Sequence, residues 1–107
     1  MERVIYFRTP LYLGEGIDGR KLNKIKKQLC KNPLFANVFL IVPARNPADQ
    51  LDIFNARQLA QPHYKDISLQ VLGIAVTHQE ALLLIEQMVC ECLEARGDCR
   101  LREYLTC

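Results

Sequence analysis

A chain of 107 residues that is 50% hydrophobic and 24% charged reads as one α/β domain, residues 1–107, and falls outside the disordered class. Its formal net charge of +2 is too small by itself to demand a nucleic-acid partner. The odd number of cysteines, five, suits reduced thiols better than a secreted disulfide framework.

The opening residues, Met1-Glu2-Arg3-Val4-Ile5-Tyr6-Phe7, carry an acid and only a short apolar run. No stretch approaches the roughly 20 apolar residues of a spanning helix. A soluble, cytoplasmic chain with no membrane contact is the expectation. Arg3–Arg8 reads as the first strand, β-branched and aromatic in its middle. Thr9-Pro10 is expected to end it, because Pro cannot donate to a ladder.

Gly14, Gly16 and Gly19 follow within six residues. Such a stretch can turn backbone N–H groups toward an anion, and Arg20 adds a cation beside them. It is not a P-loop, since Arg20 and Lys21 stand where Lys and Ser or Thr are required. No acidic residue after a second strand supports a dinucleotide site. Gly14, Gly16, Gly19 and Arg20 are therefore one candidate anion site, with Asp18 as a helix cap.

The first helix is expected over residues 19–31, with Leu22, Ile25 and Leu29 buried. All its charges are positive, and Arg20, Lys24, Lys27 and Lys31 step by three or four residues into one stripe. The last helix instead carries Glu80, Glu86, Glu91 and Glu94. The simplest expectation is that these two helices lie side by side and complement each other. A basic surface for an acidic partner or nucleic-acid backbone is the alternative.

Asn37–Val42 is a second strand, apolar without alternation, which suggests burial on both faces. Residues 45–66 form an insertion. Asn46-Pro47 resembles a helix start, and Gln61-Pro62 its end. Arg57 and Gln61 would share a helical face, and His63 and Tyr64 follow in a loop. Arg57, Gln61, His63 and Tyr64 make the second candidate site. Arg57 offers a donor fork for a carboxylate or phosphate, His63 a proton near neutral pH, and Tyr64 a hydrogen bond.

Leu69–Val76 is a buried third strand. Thr77-His78-Gln79-Glu80 has the spacing of a capping box, and Ala81, Leu82, Ile85, Val89 and Cys92 continue at helical spacing to Gly97. Cys90 and Cys92 point about 200° apart on a helix and do not grip one metal easily. His78, in the first turn, reads as a surface residue. Residues 98–105 are expected to be a short edge strand.

This order predicts a two-layer ferredoxin-like sandwich with a helical insertion between strands two and three. The rival is a small three-layer, mostly parallel sheet. A two-layer fold leaves one sheet face to cover, so a homodimer is expected. No nucleophile with a base, no metal set and no cofactor motif is present. The expected function is a non-enzymatic binding, regulatory or assembly domain, with a small anionic ligand or a protein as partner. A small enzyme or ligand sensor near residues 57–64 and a nucleic-acid adaptor using the basic helix are the alternatives.

Overall fold

The computed structural model describes residues 4–31, 36–43, 51–61, 68–98 and 100. Strand β1 (Val4–Leu13) leads to helix α1 (Gly19–Lys31), then to strands β2 (Phe39–Pro43) and β3 (Leu51–Asn55). A short 3-10 helix (Ala56–Ala60), strand β4 (Ser68–Ala75) and helix α2 (His78–Arg96) complete the order. The α/β class expected from the sequence is the one observed: helices layered on a sheet of mixed direction.

The sheet order is β1-β4-β2-β3. β1 and β4 run parallel, while β2 is antiparallel to both β4 and β3. A ferredoxin-like sheet alternates direction throughout; here only the β4-β2-β3 half does so. β1, β3 and β4 thus all point their carboxyl ends the same way, and the segments following them gather at one end of the sheet.

Core membership shows which face each helix covers. Ile25 and Leu29 of α1 pack with Leu40, Val42, Val71 and Ile74. Ala81, Leu84, Met88 and Cys92 of α2 pack with Ile41, Leu72 and Ala75. Alternate residues of a strand point to opposite faces. Leu40 and Val42 therefore face α1, Ile41 faces α2, and the two helices cover opposite sides of the sheet. That layering is the rival expectation's, with mixed strand directions in place of mostly parallel ones. Each sheet face carries a helix, so the bare face that would ask for a second subunit is absent among the described residues. The idea of two neighbouring helices neutralising one another loses its geometry.

Two further expectations are corrected. β1 does not stop at Arg8 but runs through Pro10 to Leu13. Among the described residues it is an outer strand, where a missing N–H is tolerated, and its register with β4 shifts between Phe7 and Tyr12. The insertion is not one helix over 47–61. Leu51–Asn55 pairs with β2 from Leu51↔Pro43 to Asn55↔Phe39, and only Ala56–Ala60 is helical. The cause is period-two patterning: Leu51 and Ile53 join the α2-side core, Phe54 joins the α1-side core, and Asp52 is exposed. The Asn46-Pro47 start and the strand expected at 98–105 lie largely or wholly outside the described residues.

α2 is closed at both ends as its sequence implies. Thr77 Oγ1 accepts the Glu80 N–H at 3.1 Å. Gly97 adopts φ 76° and donates its N–H to Leu93 O at 2.8 Å, a backbone region where glycine escapes the Cβ penalty. Asp98 then secures the turn, accepting the Cys92 thiol at its carbonyl and meeting Arg96 at its carboxylate.

Candidate cation-lined cleft

The turns after β1 and β4 place the first candidate site. Gly14 donates its N–H to Ile74 O at 2.9 Å, and Ile17 donates to Gly14 O at 3.1 Å. The Gly14 N–H is thus committed to the sheet and is not offered to an anion. None of Gly14, Gly16 and Gly19 has a positive φ. At Gly14 the Glu80 carboxylate, the far end of a flexible side chain, occupies the space where a Cβ would stand. Glu80 Oε1 is buried there without a hydrogen-bond partner, so this oxygen does not make the return bond of a capping box.

Asp18 caps α1 as expected, accepting the Lys21 N–H at 2.8 Å. Beyond it, the first two turns of α1 form one wall of a cleft of about 530 Å³. Arg20, Lys21 and Lys24 line it, opposite Asn37, Val38 and Val76. The positive end of the α1 dipole points toward this end of the sheet, where anions are stabilised and cations are not. Yet α1 has no acid in its first turn. Among the described residues, Asp18 is the one acid on the cleft wall. The location, outside the carboxyl ends of parallel strands, is where α/β sheets bind ligands. Arg20 of the glycine-loop candidate therefore sits on the cleft, with Lys21 and Lys24 added to it.

Arg20, Lys21, Lys24, Lys27 and Lys31 are all exposed. Among the described residues none of the five forms an ion pair. Lys26 differs, lying 5.0 Å from the Phe7 ring centroid.

The second candidate set is only partly visible. Arg57 and Gln61 are exposed, Arg57 within the 3-10 helix and Gln61 at its C-cap, and Asn55 Oδ1 caps the helix start by accepting the Arg57 N–H at 2.9 Å. With about three residues per turn, an i,i+4 pair no longer shares a face, so the helical reason for joining Arg57 to Gln61 is gone. His63 and Tyr64 lie outside the described residues. His78 is exposed and meets Phe39 edge-on, ring centroids 5.7 Å apart.

Cys90 is exposed and Cys92 buried, as their spacing implies, and Cys30 and Cys90 are free thiols. No group of three metal-ligating side chains occurs among the described residues. No helix there is long and apolar enough to cross a membrane.

Comparison with known proteins finds no matching family model, no similar curated protein and no similar solved structure.

Proposed function

We propose that this chain is a non-enzymatic binding domain that engages a polyanion, the phosphate backbone of a nucleic acid, through α1 and the cleft at its N-terminus. One observation carries the reading. The outward side of α1 is cationic along its whole length, has no ion pair among the described residues, and lies across the sheet from the α2 glutamates. A helix whose charges served only folding would place acids at its first turn. Free thiols at Cys30 and Cys90 support a reducing, cytoplasmic setting.

The test is titration of a labelled oligonucleotide at several salt concentrations. Affinity should fall with salt, and Lys24→Glu with Lys27→Glu should flatten the slope by about 1.4 in log–log units, two phosphate contacts on a single strand. Equal binding by the double variant, or binding insensitive to salt, sinks the proposal.

The cleft favours a second reading, a compact phosphate-bearing ligand, because its volume suits a small molecule. In that case Arg20→Ala weakens binding and Lys31→Ala, at the far end of α1, does not.

A further inference from the structure

We propose that Tyr6 is a base-stacking platform, so that the nucleic acid bound by this chain is single-stranded. The inference rests on the polyanion reading of α1 and names its substrate class.

Tyr6 is the most exposed large hydrophobic residue described, at 60%. It makes no hydrogen bond or ring contact among the described residues. A bare tyrosine ring on a strand presents a flat apolar face with a polar edge, which a planar partner can cover. Its surroundings repeat the theme. Arg8, two residues on and on the same face, holds its guanidinium 5.2 Å from the Tyr12 ring centroid. Tyr12 is itself fixed by donating its hydroxyl to Glu91 at 2.5 Å. Tyr6 and Arg8 are about 6.6 Å apart along the strand. An aromatic face beside a guanidinium is the pairing that holds unstacked bases.

The route from phosphate to base is short. Phe7 packs on the α1 side of β1, so strand alternation puts its neighbour Tyr6 on the opposite face, the α2 side. The Lys26 ammonium lies over Phe7 at 5.0 Å, so α1 passes beside β1 at this residue. β1 is an outer strand among the described residues. A flexible strand crossing that edge meets lysines on one side and the Tyr6 ring on the other. A duplex keeps its bases stacked inside and offers Tyr6 nothing.

The experiment compares an oligothymidylate, an abasic strand of equal length and a duplex, each titrated against the intact chain, Tyr6→Ala and Tyr6→Phe. Stacking on one ring predicts an affinity loss of about 5- to 150-fold for Tyr6→Ala with oligothymidylate. Tyr6→Phe should bind like the parent, and the abasic strand should bind the parent as weakly as oligothymidylate binds Tyr6→Ala. The salt slope should be the same in all three proteins, because no charge has changed. Circular dichroism checks that Tyr6→Ala is folded. Equal binding of abasic and thymidine strands, or preference for the duplex, overturns the stacking proposal and leaves the α1 reading standing. No salt-sensitive binding of any strand overturns both.

Discussion

The helices α1 and α2 pack on one sheet from opposite sides, and their sequences are written for different ends. α1 buries only Ile25 and Leu29, and its charged residues are all basic. α2 buries Ala81, Leu84, Met88 and Cys92, has a side-chain cap at its start and a left-handed glycine at its end. Met88 is fully buried, and its methyl group lies 3.3 Å from where a Cβ on Gly73 would stand. Local propensity, capping and packing agree throughout α2, as they do in elements that specify a fold. In α1 they conflict: cations crowd the positive end of the helix dipole, against the preferred placement of charge. Conflict of that kind marks the helix whose outer surface answers to something besides folding.

The sharpest separation should come from the core. Met88→Ala is expected to lower the unfolding free energy by about 2–5 kcal/mol in urea titrations. Lys24→Glu with Lys27→Glu should change it by no more than about 0.5 kcal/mol. A comparable loss in both would make the α1 charges structural and erase the distinction.

A smaller effect tests the cap of α1. Asp18→Ala removes the acceptor for the Lys21 N–H and should cost about 1–2 kcal/mol. Asp18→Asn keeps an acceptor and removes the acid from the cleft. It should retain most of the stability while tightening polyanion binding. Equal destabilisation by both changes would mean that Asp18 acts through charge and not as a cap.

Gly14→Ala should be the mildest of these. Its new methyl group displaces only the terminal carboxylate of Glu80, a flexible end whose buried Oε1 has no partner to lose. A stability change within about 0.5 kcal/mol is expected by thermal melting. A large loss would show that the carboxylate is fixed by more than packing.

Much of α2 can be read from sequence because its signals are local. Thr77, the apolar spacing and Gly97 each act within a turn of themselves. The buried runs of β2 and β4 are similarly self-announcing. Residues 51–55 are harder, since Leu51, Ile53 and Phe54 fit a helical stripe and a strand equally, and the Asn-Pro pair before them argues for a helix. What decides is pairing with β2, a tertiary fact. Strand direction and helix side are also tertiary, so the charge segregation is visible in sequence but its lack of neutralisation is not. In the candidate sites, Arg20 is found by its place after the glycines. Lys21 and Lys24 join it only once Asn37, Val38 and Val76 supply the opposite wall. Tyr6 is missed because Thr9-Pro10 reads as the end of a strand that continues to Leu13. The overlooked signal is the period-two row Tyr6, Arg8, Tyr12.

The placement of α1 and α2 on opposite faces also gives the described residues a permanent electric dipole, positive toward α1 and negative toward α2. A net charge of +2 understates the torque that such a body feels near a highly charged polymer. The field turns α1 toward the polymer before contact, raising the share of encounters that arrive correctly oriented. The same asymmetry should keep the protein adhering to a cation-exchange matrix near its isoelectric point of about 8.3, where a uniformly charged body of equal net charge would pass through.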